Sequence, residues 1–197
     1  MEPMRAKDLN EAVYRHLFSV EDSNVFAALD GASVPELLNK LYGLLPEFEC
    51  IIRGDLEPDM AEVAPYLVQL YPNSEFTRWV VTHGWGQHWG IFAISTADFR
   101  ALRNHFRSLL TVYDVTGKPM LFRYYDPRVM RTYLPTCDAA ELATVFGPVA
   151  NYIMEDSDPW SLLRFSLDSG ALLKDVSPLE DAAAPGQPGV SRSRAQR

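Results

Sequence analysis

Residues 122–135 read FRYYDPRVMRTYLP, and this stretch contains a helix start among closely spaced arginines and aromatic residues. Asp126 is of a residue type favoured at the N-cap, where its carboxylate accepts a hydrogen bond from an amide of the first turn. Pro127 suits the first helical position, because the N–H that proline lacks would have no partner there. The sequence therefore predicts a strand that includes Arg123, followed by a helix that begins at Asp126 and carries Arg128 on its polar side.

The arginines of this stretch need a further explanation. A cation in the first turn of a helix opposes the helix macrodipole, so Arg128 is expected to pair with Asp126, Asp30 or an acid of residues 47–62. If Arg123 and Arg128 are buried in such pairs, they lock the strand-helix corner from within. If they are exposed, they form with Arg131 a basic, aromatic surface for a carboxylate or phosphate.

The charges of the chain are unevenly distributed around a net charge of −8. Residues 100–131 contain seven arginines or lysines against two aspartates, whereas residues 47–62 contain six acids against one arginine. The two segments either form solvated faces that differ in sign by chance, attract each other, or present opposite charges to two partners. The acidic balance argues against a nucleic-acid binder, and we expect no nucleic-acid partner.

Strand-like and helix-like segments alternate along the chain. The patterns predict helices at residues 8–20, 35–45, 75–85, 98–113 and 138–147, and strands at 24–32, 49–54, 88–96 and 120–125. Residues 149–155 are expected to form a strand or to continue the helix at 138–147. The first strand ends in a turn at Asp30-Gly31. Pro65 interrupts residues 60–71, which are expected to form short helical turns on each side, and residues 160–168 form a final amphipathic element.

This alternation predicts an α/β fold with a mixed, partly parallel sheet flanked by helices and a smaller helical C-terminal lobe. We expect an α/β domain at residues 1–150 and a C-terminal lobe of helix or strand at 151–176. Residues 177–197 are small, polar and rich in proline and glycine, so they are predicted to be a disordered tail.

A charged helix and a tryptophan-glycine loop supply further contact candidates. In the helix at 98–113 one side is apolar, and three arginines spaced three and four residues apart line another. The candidate partner-binding residues are Arg100, Arg103, Arg107, Arg123, Arg128, Arg131, Trp85 and Trp89. The alternative is that the arginines of this helix are merely solvated and the tryptophans belong to the core.

Residues that could carry catalysis or bind a metal occur without a supporting pattern. His83 and His88 in HGWGQHWG lack an obvious third ligand for zinc, so no metal site is expected. Cys50 or Cys137 with His105 would need an activating environment that no local signature indicates. Nucleotide-binding and hydrolase motifs are absent from the sequence. We therefore expect no enzymatic activity and no cofactor.

The N-terminal sequence MEPMRAKDLNEAV contains acids and lacks the apolar stretch of a secretory signal. No run approaches the roughly 18 apolar residues of a membrane span. We therefore expect a cytoplasmic protein without a membrane partner. The two cysteines do not suggest a disulfide framework.

Four blocks of the sequence resemble one protein family. FRYYDPRVMRTYLP, preceded by GKPM, resembles the signature of the bacterial domain of unknown function 4123, the type VI secretion effector adaptor or chaperone family. FAALDGA is similar to its early strand and turn, APYLVQL to its central proline segment, and WGIFAISTADFRALRNHFRSLL to its tryptophan-glycine strand and arginine-bearing helix. The resemblance spans about residues 20–165, and its signature is carried by Arg123, Asp126, Pro127 and Arg128.

The resemblance implies a cytoplasmic loading factor that is not an enzyme. Members of the family bind a cognate secreted effector and help to mount it on the VgrG spike protein of the secretion apparatus. The expected partners are therefore an effector and VgrG, and the region beyond about residue 150, which departs most from the shared pattern, is expected to adapt the protein to its effector.

Two other functions remain open from the residues alone. One is an enzyme that acts on a small anionic substrate at the corner of Arg123 and Arg128. The other is an immunity protein whose acidic surface mimics the substrate of a toxin.

Overall fold

A computed structural model describes residues 3–179 of the chain. The helices are α1 (Pro3–Leu17), α2 (Leu37–Leu44), α3 (Pro58–Val63), α4 (Glu75–Gly84), α5 (Phe99–Leu109), α6 (Pro127–Tyr133) and α7 (Ala139–Phe146). The strands are β1 (Asn24–Asp30), β2 (Phe48–Cys50), β3 (Pro65–Leu70), β4 (Gly90–Ser95), β5 (Thr111–Tyr113), β6 (Pro119–Leu121), β7 (Asn151–Glu155), β8 (Ser161–Asp168) and β9 (Ala171–Pro178).

Seven strands form one sheet in the order β2-β3-β1-β4-β7-β8-β9, and β5 and β6 form a separate hairpin. Every pair of neighbouring strands is antiparallel. The expected mixed, partly parallel sheet is therefore wrong. Strands joined through a helix, such as β1 and β2 or β3 and β4, do run in the same direction, but a third strand lies between them.

The two faces of the sheet are both covered, which explains why its strands resemble those of a parallel sheet. In β1, Phe26 and Ala28 belong to one apolar core, whereas Ala27 and Leu29 belong to the other. Helices α5, α6 and α7 contribute to the first core, and α1, α2 and α4 to the second. A strand buried on both faces has a continuous apolar sequence, a pattern that is common in parallel sheets but does not require them.

The C-terminal part of the described chain is built from strands. Residues 151–178 form β7, β8 and β9, which continue the main sheet beside β4, so the expected helical C-terminal lobe is wrong. In β8, Leu163 and Phe165 lie in one core while Leu162 lies in the other, as the two-residue period of a strand dictates. The domain boundary after residue 150 stays a prediction.

The predicted disordered tail begins at residue 177, but Ser177 and Pro178 complete β9 and Leu179 is buried. The remaining residues of that predicted tail, 180–197, lie outside the described residues. Within residues 3–179, no helix is both long enough and apolar enough to cross a bilayer.

Proline and capping residues explain several element boundaries. Pro65 is the first residue of β3, a position where a proline is tolerated, so the helical turn expected after it is wrong. Asp98 accepts a hydrogen bond from the amide of Ala101 at 2.7 Å and begins α5. The strand expected at residues 120–125 ends at Leu121, and the chain then turns before α6.

Candidate functional site

The end of β1 forms a tight turn that buries an aspartate. The Asp30 carboxylate accepts hydrogen bonds from the amide of Ala32 at 3.2 Å and from the hydroxyl of Ser33 at 2.9 Å. A Cβ atom at Gly31 would lie 2.4 Å from the carbonyl oxygen of Ala64, so only glycine fits at this position. The turn therefore holds the Asp30 carboxylate at one end of the main sheet.

Arg123 reaches this carboxylate from the turn that precedes α6. Its Nη2 donates to Oδ2 of Asp30 at 2.6 Å and lies 3.7 Å from Oδ2 of Asp126. The carbonyl of Arg123 accepts a hydrogen bond from the amide of Asp126 at 3.0 Å, which closes the turn. Residues 93 positions apart in sequence are thereby joined, and the chain between β6 and α6 is fixed to the end of β1.

Asp126 both begins α6 and binds an arginine of that helix. Its Oδ1 accepts a hydrogen bond from the amide of Arg128 at 2.9 Å, and Pro127 occupies the first helical turn. The Arg128 guanidinium donates through Nε to Oδ1 at 2.9 Å and through Nη2 to Oδ2 at 2.7 Å. This bidentate geometry is the strongest form of an arginine-carboxylate contact. It supplies the counter-charge that a cation in the first turn requires.

These four residues, Asp30, Arg123, Asp126 and Arg128, are called the arginine-aspartate corner below. The side chains of Asp30 and Asp126 are only 2% and 5% exposed, whereas those of Arg123 and Arg128 are 45% and 50% exposed. Arg123 and Arg128 are therefore not buried, and of the two possibilities raised by the sequence the structure shows the exposed one. The carboxylates lock the corner from inside, and the guanidinium groups reach the surface.

The ionisation of the corner follows from these contacts. Burial raises the pKa of Asp126, but the hydrogen bonds and positive charge of Arg128 outweigh it and hold this pKa below its ordinary value of 3.8. The hydrogen bond to Asp30 raises the pKa of Arg123, and the hydrogen bond to Asp126 raises the pKa of Arg128. All three groups are therefore charged at neutral pH, so the corner is a pair of ion pairs.

Arg131 lies at the same sheet end but binds differently. Its Nη1 donates to the backbone carbonyl of Glu155, at the end of β7, at 3.4 Å. The buried Glu155 carboxylate in turn accepts hydrogen bonds from the amides of Gly86 and His88 and contacts the His88 ring. Burial raises the pKa of Glu155, and the contacts to the tryptophan-glycine loop oppose that rise.

The two tryptophans proposed as partner anchors pack inside the molecule to different degrees. Trp85 is buried, stacks on Phe92 and donates its indole N–H to the carbonyl of Pro159 at 2.7 Å. Trp89 is partly buried, with its ring centre 4.9 Å from that of Trp79. Trp85 is therefore a core residue and offers no surface to a partner.

The arginines of α5 do not form the free contact face that their spacing suggested. Arg103 contacts the Glu49 carboxylate, and Arg107 donates to the same carboxylate at 3.3 Å. Arg107 also donates to the carbonyls of Cys50 at 2.7 Å and Ile51 at 3.3 Å. We call Glu49, Arg103 and Arg107 the α5 clamp. The clamp ties α5 to β2, and Arg100, which precedes it on α5, is exposed.

The residues considered for other chemistry are engaged in structural contacts. Burial raises the pKa of the Cys50 and Cys137 thiols, which disfavours the thiolate that a nucleophile requires. The His105 ring contacts the carbonyl of Val145 at 3.0 Å, and the His83 ring contacts that of Trp79. Among the described residues, no three histidine, cysteine or acidic side chains are grouped to hold a metal ion.

The family model of the Domain of unknown function (DUF4123) matches residues 25–144, more than half of the 197-residue chain. The chain belongs to the DUF4123 family. No curated protein and no solved structure matches it. The matched residues, the DUF4123 segment, include the whole arginine-aspartate corner and the α5 clamp. The segment ends within α7, so β7, β8 and β9 lie outside it.

Glu49 and Glu155 are the important residues that sequence patterns missed in this DUF4123 protein. Glu155 follows the apolar run of β7, and an acid at the end of a buried strand is a signal for a specific partner. Glu49 was counted only as one member of an acidic segment. Its contact with α5 joins the acidic segment to the basic one, so part of the opposite charge is satisfied within the molecule.

Proposed function

We propose that this protein is a cytoplasmic adaptor or chaperone that binds one type VI secretion effector and helps to load it onto the VgrG spike protein. Membership of the DUF4123 family carries the proposal, because this family is associated with type VI secretion effector adaptors. Such a protein needs surfaces for its partners rather than a catalytic centre. The exposed part of the arginine-aspartate corner is the surface that we assign to partner binding.

The hydrogen bonds within the corner leave part of each guanidinium group available. Arg123 binds Asp30 through Nη2, and Arg128 binds Asp126 through Nε and Nη2. Both side chains are about half exposed, so donors on their outer edges face solvent. The buried aspartates hold the two guanidinium groups in place, which reduces the side-chain entropy lost when a partner carboxylate binds.

The corner favours a protein partner over a small anion. Two buried carboxylates match the charges of Arg123 and Arg128, so the four residues together carry no net charge. A small anionic substrate would gain little from such a neutral cluster, whereas a protein surface can add hydrogen bonds at oriented arginines that interfaces favour. The enzyme alternative therefore has no specific observation in its favour.

An adaptor is expected to be encoded beside its effector, so the direct test is binding to the purified product of a toxin gene found next to the gene of this protein. That product is called the neighbouring toxin below. Co-expression and co-purification should yield a complex with the wild-type chain, and Arg128→Ala should weaken it about tenfold. Arg15→Ala is the matched control, because Arg15 is an exposed arginine on α1, outside the DUF4123 segment. The control should bind as the wild type does.

The outcomes separate the possible functions. If the wild-type chain binds neither the neighbouring toxin nor VgrG, the adaptor proposal is wrong. Protection of cells from the toxin by this protein alone, without VgrG, would identify an immunity protein instead. If the wild type and Arg128→Ala bind equally well, the adaptor proposal stands but the arginine-aspartate corner is not part of the interface.

A further inference from the structure

Strand β9 is one of the two edge strands of the main sheet. Its hairpin turn shows which of its backbone N–H and C=O groups point toward β8 and which point away. Ser169 and Gly170 connect β8 to β9 with φ angles of 50° and 85°, as a two-residue hairpin turn requires. The residues that flank such a turn, Asp168 and Ala171, exchange hydrogen bonds, and every second residue of β9 then faces β8. The amide of Leu179 continues this alternation by donating to the carbonyl of Trp160 at 2.7 Å.

The intervening residues of β9 point their backbone groups away from the sheet. These are Leu172, Lys174 and Val176. Among residues 3–179, β8 is the one strand that pairs with β9, and the alternation turns these three N–H groups away from it. The strand is eight residues long and mostly exposed, and the side chains of Leu173 and Val176 are about half exposed. A long edge with unpaired donors, unpaired acceptors and exposed apolar side chains is a template for another strand.

A second copy of the chain is a poor occupant of this edge. Two β9 strands related by a two-fold axis pair antiparallel, and residues that face each other must then lie on the same side of the sheet. The longest registers are centred on Lys174 or on Asp175, and each places two like charges directly opposite, which is destabilising. Registers centred on Leu173 or Val176 avoid this but pair only part of the strand.

The chain that follows β9 is also a poor strand. Residues 180–197 contain the sequence AAAPGQPG, in which two prolines and two glycines occur within five positions. Proline removes a ladder donor and glycine weakens a strand, so this segment lacks the composition of a sheet partner. The edge is therefore left to a segment of a different protein.

We propose that the free edge of β9 binds an extended segment of the effector, which adds to the sheet as an eighth strand. The proposal rests on the adaptor function proposed above. The side chains of β9 define the segment: Leu172 and Val176 favour apolar residues, and Lys174 between them on the same face favours a carboxylate. On the other face, Asp175 favours a base beside an apolar residue opposite Leu173. Because β9 lies outside the DUF4123 segment, this pairing selects an individual effector.

The first experiment uses the full-length chain alone. Hydrogen exchange followed by NMR should show fast exchange at the amides of Leu172, Lys174 and Val176, with slow exchange at the inward amides of Leu173 and Asp175. Sedimentation under the same conditions should show a monomer. Protection of the outward amides would mean that the tail or a second copy already occupies the edge, and it would overturn the proposal.

The second experiment compares two substitutions at one position, with the purified neighbouring toxin as the probe. Lys174→Pro removes the outward N–H while sparing the hydrogen bonds to β8, and it should weaken binding about tenfold. Lys174→Ala keeps the N–H and removes only the charge, so it should weaken binding about threefold or less. Unfolding of both variants is measured to show that each remains folded.

A third measurement keeps the test decisive if Lys174→Pro does not fold. In the wild-type complex, the amides of Leu172, Lys174 and Val176 should become protected from exchange when the toxin binds. A complex in which they stay unprotected, or equal binding by wild type and a folded Lys174→Pro, would overturn strand addition and leave the adaptor function standing. If the wild type binds neither the toxin nor VgrG, the adaptor function fails and this proposal fails with it.

Discussion

The arginine-aspartate corner and the α5 clamp are two ion-pair clusters with opposite arrangements of burial. In the clamp, Arg103 and Arg107 are largely buried and their common partner Glu49 is the more exposed group. In the corner, the aspartates are buried and Arg123 and Arg128 are half exposed. In the clamp the arginines therefore make contacts within the molecule, whereas in the corner the arginines lie at the surface.

The difference arises from what surrounds each charge. The Arg107 guanidinium is stabilised by two backbone carbonyls at the end of β2 in addition to Glu49. Asp30 and Asp126 instead accept hydrogen bonds from backbone amides in a turn and at a helix start. Buried charges need such hydrogen bonds. Arg107, Asp30 and Asp126 each make them to the backbone, whereas Arg103 contacts Glu49 alone and its buried Nε has no partner among the described residues. This difference is why partner binding is proposed for the corner and not for the clamp.

The largest loss of stability is expected from Asp126→Ala, which removes one of the two buried carboxylates of the corner. The substitution deletes a helix cap worth about 1 kcal/mol and leaves the Arg128 fork without its carboxylate. We expect the free energy of unfolding to fall by about 2–4 kcal/mol in urea titrations. Asp138→Ala is the control, because Asp138 caps α7 without an arginine partner and should cost about 1 kcal/mol. Equal losses would show that the arginine contact contributes nothing.

A smaller effect is expected from Arg107→Ala in the clamp. The substitution removes hydrogen bonds from the Arg107 guanidinium to Glu49, Cys50 and Ile51. We expect the free energy of unfolding to fall by about 1.5–3 kcal/mol, because hydrogen bonds of charged groups are stronger than those between neutral groups. Arg100→Ala, on the same helix and exposed, should change the free energy of unfolding by less than about 0.5 kcal/mol. If the two variants are equally stable, the clamp does not hold α5 to β2.

Arg128→Ala should affect stability less than Arg107→Ala, although both remove an arginine from an ion pair. Arg128 is half exposed, and the amide of residue 128 would still donate to the Asp126 cap. We expect a loss of about 0.5–1.5 kcal/mol, measured by urea unfolding. A loss larger than that of Arg107→Ala would reverse the comparison and assign the corner a mainly structural role.

The smallest change in the free energy of unfolding is expected when the pH is lowered, since water screens the half-exposed guanidinium groups that pair with the aspartates. The pKa of Asp126 is lowered below 3.8 in the folded state, so its contribution to stability is present above that value and is lost as pH falls through the folded pKa. The wild type should therefore lose more stability than Asp126→Asn between about pH 6 and pH 3. If the wild type and Asp126→Asn lose the same free energy of unfolding over this pH range, the ionised Asp126 carboxylate does not stabilise the fold.

The sequence was sufficient wherever a signal was local. The Asp126-Pro127 helix start is a short-range hydrogen-bonding and backbone effect, and α6 begins where those residues place it. It failed where a decision depended on distant segments. The C-terminal strands were interpreted partly as helix, because residues 160–168 are apolar on both faces of a sheet.

The candidate site shows the same division. The FRYYDPR stretch could be recognised as special from its helix start and its unmatched cations, and Asp30 could be named as one possible partner. The roles of Arg103 and Arg107 could not be predicted, because Glu49 lies more than fifty positions away and only the packing of α5 on β2 brings it close.

The sequence by itself determined the helix that begins at Asp126 and the resemblance to a family that the matched residues 25–144 confirm. Only the tertiary structure decided that all neighbouring strands are antiparallel and that β9 is left as an open edge. It also decided which arginines reach solvent. Strand order and burial depend on contacts between distant segments, and those contacts are set by the packing of two cores on one sheet rather than by local preference.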